Sequence, residues 1–141
     1  MHAAPVLKIL GLLLSILAVA MLIPMSFDLI SVNLDWYAFD AESLFTGFIG
    51  ICLWLANRQI NDNDLGLKEA FLLTNGAWAL IGLFGALPFY FSSLELSVVD
   101  SVFESTSGIT TTGSTILSDI EQASSGLLIW RALLQWLGGV G

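Results

Sequence analysis

The sequence predicts an all-α integral membrane fold, in which an N-terminal two-helix hairpin precedes a unit of span, short helix, loop and truncated span. Three observations carry that prediction. Hydrophobic residues make up 56% of the 141 residues and charged residues only 11%, with a mean hydropathy of +0.85; a soluble domain carries about 25% charged residues. The charges are gathered into short stretches that separate long apolar runs. Four of those runs cross, or nearly cross, a hydrocarbon core of roughly 30 Å, for which about 20 helical residues are needed. The composition excludes a soluble enzyme and a disordered tail. It also excludes a nucleic-acid binder, because Lys and Arg number 4 against 12 Asp and Glu. Cys52 is the single cysteine, which excludes a disulfide framework within the chain and a Cys-based zinc site.

The first run extends from Val6 to Pro24 and is interrupted only by Lys8. Ala18-Val19-Ala20 has the form of a signal cleavage site, but Met21-Leu22-Ile23 continues the apolar run, so the segment reads as an uncleaved span. The second runs from Trp36 to Ala56, with Trp36, Tyr37 and Phe39 at its entry, a cluster suited to the headgroup level. The third, Ala70 to Phe91, carries no charge. The fourth begins near Ser125 and is still apolar at Gly141. Residues 1–69 are thus expected to form the hairpin and a loop, and residues 70–141 the second unit.

Orientation follows from the basic residues. Lys8 precedes the first span, and Arg58 and Lys68 lie between the second and third. The positive-inside rule then places the N-terminus and the 57–69 loop in the cytoplasm. The loop from Ser26 to Tyr37 and the segment from Ser92 to Ser124 hold acids but no Lys or Arg, and are expected to face outward. Most of the net charge of −8 would then sit on one side, raising the local cation concentration there. Acidic side chains that merely solubilise loops give the same pattern.

Residues 92–124 are the informative part. Ser97-Val98-Val99-Asp100 has the form of a capping box, and Val98, Val99, Val102 and Phe103 follow at helical spacing. A helix over about 98–107, ending near Gly108 at a left-handed cap, would be roughly 15 Å long. That is half a membrane: too short to span and long enough to re-enter. Its partially negative C-terminal end would favour a cation. Ile109-Thr110-Thr111-Thr112-Gly113-Ser114-Thr115 follows. On composition alone such a stretch is a solvated linker. Between two spans it can instead go extended, with carbonyls turned to one side to replace the water around an alkali ion. Non-helical backbone at membrane depth is tolerated only where it is buried in protein or lines such a cavity.

Phe103 through Thr115 resembles the first pore loop of the TrkH-like subunits of the Trk/Ktr potassium-uptake systems. Gly85-Ala86-Leu87-Pro88-Phe89 before it and Trp130-Arg131 through Gln135-Trp136-Leu137-Gly138-Gly139-Val140-Gly141 after it match the same pattern, in the same order. The resemblance implies a pore helix at about 98–107 and a selectivity filter at 109–115, with Gly113 as the filter glycine. Thr111 and Thr112 would offer the potassium-facing carbonyls, with Thr110 and Ser114 at the ends of the row. It further implies potassium as the transported ion with no organic cofactor, a four-repeat pore in one polypeptide, a homodimer, and a cytosolic nucleotide-binding regulatory subunit. A multi-pass protein of the bacterial inner membrane is implied as well. This chain holds one such repeat, so it is expected to be the N-terminal part of a longer protein.

Other residues read as follows. Arg131, about two turns into the fourth span, is expected to snorkel outward; the functional version pairs it with Glu104 or the loop and braces the filter. Glu104 suits a vestibule-facing carboxylate and a structural hydrogen-bonding group equally. Asn75 reads as interhelical glue, Gly82 and Gly85 as close packing, and Pro88 as a kink. Ser107, in the last turn of the short helix, is expected to serve packing and not the loop. Cys52 reads as packing and His2 as terminus. The sequence offers no nucleophile–base set, phosphate-binding loop or metal-ligand cluster, so no enzyme is expected. Beside potassium uptake stand a non-conducting, truncated or accessory module and a broken-helix transporter of small solutes. If the basic residues set orientation, a cysteine introduced near Asn61 is labelled only from the cytoplasm and one near Ser31 only from outside. Labelling of both from one side contradicts the four-span topology.

Overall fold

A computed structural model describes residues 3–60 and 65–140, so His2, Asn61 and Gly141 lie outside the described residues. Among the described residues five α-helices follow in order: α1 Ala3–Ile30, α2 Trp36–Asn57, α3 Leu67–Tyr90, α4 Val98–Ile109 and α5 Ser125–Val140. A short 3-10 turn over Ile120–Gln122 precedes α5. Three of them, α1, α2 and α3, are long and apolar enough to cross a membrane. With 16 residues, α5 rises about 24 Å. The fold is an all-α membrane fold, with α4 as a half-length helix between α3 and α5.

The first span does not end at Pro24. Proline lacks an N–H, yet membrane helices tolerate it when neighbouring groups satisfy the freed backbone, and α1 continues through Pro24 to Ile30. The expected loop from Ser26 to Tyr37 therefore shrinks to residues 31–35. This tight turn is closed by Ser31 N–H to the Phe27 carbonyl (3.0 Å) and Asn33 N–H to the Asp28 carbonyl (2.9 Å). Val32 takes a positive φ of 56° there, an uncommon conformation for a β-branched residue.

Lipid is as apolar as leucine, so helices in it associate by close packing and polar contacts and not by a hydrophobic drive. The α1–α2 hairpin shows both. A Cβ on Gly50 would stand 2.7 Å from the backbone nitrogen of Ser15 and 2.8 Å from the Gly11 carbonyl, so only glycine fits this crossing. Ser43 Oγ donates to the Ala18 carbonyl across it (2.9 Å). At the end of the hairpin where α1 begins, Lys8 Nζ donates to the Ile60 carbonyl (3.1 Å).

The hairpin is not a separate layer. Leu14, Leu17 and Met21 of α1 and Phe39 of α2 share one buried cluster with Phe89 of α3 and Leu127, Trp130 and Leu134 of α5. Phe39 meets Trp130 edge-on at 6.3 Å, and Trp130 Nε1 donates to the Gly85 carbonyl of α3 (2.9 Å). Gly85 also lets α4 approach α3, because a Cβ there would lie 2.7 Å from Ser105 Oγ. At Gly82 the added Cβ would make only an ordinary contact with Thr106. Asn75 is exposed and donates to the Phe71 carbonyl of its own helix, so it joins no second helix among the described residues.

The two acids of the expected outer loop, Asp28 and Asp35, are buried instead. Asp28, at the end of α1, accepts from Ser124 Oγ (3.0 Å) and from the Gly126 backbone N–H (2.7 Å) at the start of α5. Asp35, just before α2, accepts from both the backbone N–H and the hydroxyl of Ser93 (2.9 and 3.0 Å). Neither is free to act as a surface charge. Burial of a carboxylate is tolerated because each is met by two donors.

Candidate functional site

The site is built from α4 outward. Ser97 caps α4, its Oγ accepting from the Asp100 N–H at 3.1 Å, and Asp100 in the first turn suits the helix dipole. The helix buries Ser101, Glu104, Ser105, Ser107, Gly108 and Ile109 between α3 and α5. Small and polar residues let a half-helix sit this deep, since their backbone can be closely approached.

The helix ends near Gly108 as expected, but Gly108 is not the residue that takes the left-handed conformation. The helix runs to Ile109, with Thr110 as C-cap in a right-handed conformation and Thr111 in the left-handed region at φ 56°. The Thr112 N–H bonds to the Ser107 carbonyl and the Thr111 N–H to the Gly108 carbonyl, both at 3.0 Å. That pair of bonds is the Schellman arrangement, with a threonine where glycine is usual. A β-branched residue there is strained, and such strain persists only where the surroundings enforce it. Gly108 has a different use. A Cβ at that position would come within 3.1 Å of Leu134, so the missing side chain admits α5.

Gly113 follows at φ +77°, while Thr112 between them does not share the positive φ. Thr110 through Thr115 are exposed, leaving one side of the loop open. Behind it stands a polar assembly. Glu104 is fully buried, and its Oε1 accepts from Thr115 Oγ1 (2.6 Å) and the Ile116 N–H (2.7 Å). Its Oε2 accepts from Arg131 Nε at 3.1 Å. Arg131 Nη2 then donates to the Gly113 carbonyl (3.0 Å) and the Ser114 carbonyl (3.2 Å).

Arg131 therefore does not snorkel. Three protein acceptors, one of them the buried Glu104 carboxylate, hold its guanidinium, which resolves the cost of an arginine in a span by pairing. Glu104 is a structural hydrogen-bonding group, not an open vestibule charge. Ser107 also departs from expectation. Its hydroxyl donates to the Ser114 carbonyl (2.5 Å), and its own carbonyl receives the Thr112 N–H, so it holds the loop at two points. No spacing in the sequence signalled this, because the partner lies seven residues on across a loop.

The five loop residues expected at the filter, Thr110 to Ser114, are all exposed, and the hydroxyls of Thr110 and Thr112 stand 2.8 Å apart. The Gly113 and Ser114 carbonyls are turned to Arg131. The loop is thus an exposed stretch with positive φ at Thr111 and Gly113, tied to α4 by the Thr111 and Thr112 N–H groups and to Arg131 by the Gly113 and Ser114 carbonyls.

A family model described as the cation transport protein TrkH matches residues 38–141. The chain belongs to the TrkH cation transport family. Among TrkH-family relatives, the Trk system potassium uptake protein TrkI of Halomonas elongata is 39% identical over 98% of this chain and 28% of its own length. The Trk system potassium uptake protein TrkH of Escherichia coli K12 is 38% identical over 100% of this chain and 29% of its own. The crystal structure of the potassium transporter TrkH from Vibrio parahaemolyticus superposes with a TM-score of 0.92 at 31% identity, covering all of this chain and 30% of that one. The chain spans about three-tenths of the length of the relatives it matches.

The Glu104–Arg131 pair gives the site a measurable stability. Removing one partner of a buried ion pair leaves the other charge uncompensated, at a cost of about 3–5 kcal/mol. Arg131→Gln is expected to lower the melting temperature of the detergent-purified protein sharply, and Glu104→Gln/Arg131→Gln to recover part of the loss. A double variant no more stable than Arg131→Gln contradicts the pairing.

Proposed function

We propose that this chain supplies the hairpin and first pore repeat of a potassium-uptake subunit, in which residues 109–115 form one quadrant of a backbone-carbonyl selectivity filter. The observation that carries this reading is the loop itself: an exposed, strained threonine backbone at the end of a half-membrane helix, held from behind by a buried ion pair. A bilayer would not tolerate exposed polar backbone at that depth unless it lined a cavity. Family membership and the potassium-uptake names of the relatives support the same reading.

In this scheme the Thr111 and Thr112 carbonyls face the ion and stand in for its hydration water. Thr110 sits at one end of the row, where the C-terminal end of α4 adds a favourable partial charge. Gly113 and Ser114 close the other end as anchors, since their carbonyls already accept from Arg131. The guanidinium behind the filter keeps those two oxygens from turning inward and fixes the spacing of the pair that remains. No bond is made or broken. Discrimination comes from how closely fixed carbonyls match the dehydrated ion.

One loop surrounds an ion from one side only, so the pore requires three further repeats. We infer that they follow in the same polypeptide, that two subunits pair, and that a cytosolic nucleotide-binding subunit regulates uptake, as the family resemblance implies. The N-terminus and residues 57–69 face the cytoplasm of a bacterial inner membrane in this reading.

Gly113→Ser in the assembled transporter is expected to weaken discrimination of potassium over sodium about tenfold, the effect of roughly 1.4 kcal/mol in differential binding. A side chain at φ +77° is strained, and its relaxation would release the Arg131 contact and rotate the Thr112 carbonyl. Potassium uptake measured with and without competing sodium, at matched membrane abundance, reads this directly. Unchanged potassium affinity and sodium exclusion would mean that the loop is a linker.

A further inference from the structure

The turn of the N-terminal hairpin touches both ends of the re-entrant segment. Asp35 holds Ser93, four residues before the Ser97 cap of α4, through two hydrogen bonds. Asp28 holds Ser124 and Gly126 at the first turn of α5, again through two. The two aspartates are tied to each other through Asn33, whose N–H donates to the Asp28 carbonyl and whose side-chain oxygen accepts from the Asp35 N–H at 3.1 Å. The last turn of α1 and the five-residue turn after it thus fix where the polypeptide enters α4 and where it leaves toward Arg131.

We propose that Asp28 and Asp35 are positioning residues for ion discrimination, and that the hairpin serves as a clamp on the filter. The proposal rests on the reading of residues 109–115 as the filter. Its physical basis is a short path. The Ser124 hydroxyl donates to Asp28 and accepts the Leu127 N–H at 3.2 Å, so it caps α5 and anchors it at once. Arg131 lies one turn beyond Leu127 on the same helix and reaches the Gly113 and Ser114 carbonyls. A shift of α5 along its axis would move the guanidinium and with it the two carbonyls it holds. At the other end, Ser93 fixes the approach to α4, whose last turn carries Ser107, the second anchor of Ser114. Both anchors of one carbonyl therefore trace back to the hairpin turn.

Contact geometry supports a rigid clamp. Asp28 is fully buried and Asp35 is 5% exposed, so water does not compete for their donors. A Cβ on Gly126 would overlap the Asp28 carboxylate, which shows how closely the acid seats on α5. Phe39, one turn into α2, packs edge-on against Trp130, the neighbour of Arg131. Hairpin and filter support are joined by polar and apolar contacts alike.

The test uses the complete transporter in cells lacking other potassium uptake. Asp28→Ala and Asp35→Ala remove each clamp, while Ser124→Ala and Ser93→Ala remove one hydroxyl and leave the backbone bonds. Maximal rate, half-saturating potassium and inhibition by sodium are measured at matched membrane abundance, with Gly113→Ser in parallel. The aspartate variants are expected to lose potassium-over-sodium discrimination by roughly three- to tenfold, and the serine variants to shift it in the same direction by less. If an aspartate variant fails to reach the membrane, its serine counterpart decides. The proposal is overturned if the clamp variants lower only the maximal rate while Gly113→Ser alters discrimination. If Gly113→Ser leaves discrimination unchanged, the filter reading itself fails and the clamp falls with it.

Discussion

A carboxylate without exposed surface in a membrane protein has to be balanced on every side, and Glu104 is balanced three times over. It accepts from a threonine hydroxyl, a backbone N–H and a guanidinium. Its charge is what holds Arg131 inside the protein, where the arginine would otherwise turn to the nearest water. Held there, Arg131 has donors left for Gly113 and Ser114. The open threonines of the loop are fixed because the two residues after them are fixed. The conformation of the loop is thus set by an electrostatic arrangement between Glu104, Arg131 and the Gly113 and Ser114 carbonyls.

That arrangement needs its surroundings to be rigid, since a buried pair gains most when its geometry is good and its remaining hydrogen-bonding capacity is used. Small residues supply the rigidity by admitting backbone to backbone. Gly85 brings α4 against α3, and Gly108 brings it against α5. Trp130 fills the space behind them and ties its indole to the Gly85 carbonyl. The hairpin closes the other side. With no hydrophobic drive in lipid, these close contacts and buried hydrogen bonds are the stabilising terms available.

Much of the architecture is legible in the sequence because bilayer physics leaves few options. Apolar run length places α1, α2 and α3, and the Ser97 capping pattern places the start of α4. The loop residues stand out because threonines beside a glycine lie between a half-helix and an apolar run. Failures of the reading share one cause. Pro24 looks like a stop until α1 packs against three other helices. Asp28 and Asp35 look like solvated acids until Ser124 and Ser93, 96 and 58 residues away, supply donors. Arg131 looks like a snorkelling residue until Glu104 faces it. Gly108 looks like a cap until Leu134, 26 residues on, packs where its side chain would be. Each depends on contacts distant in the chain, which periodicity and local propensity do not encode.

The central claim is that fixed carbonyls of Thr111 and Thr112 replace the water of a potassium ion. Thallium substitutes for potassium in carbonyl sites and scatters anomalously, so crystals of the assembled transporter grown in a thallium salt test it most directly. The account predicts an anomalous peak on the pore axis in contact with these two carbonyls, with the Arg131 guanidinium still on Gly113 and Ser114. Peaks elsewhere in the membrane region, with the Thr111 and Thr112 carbonyls unoccupied, would contradict it.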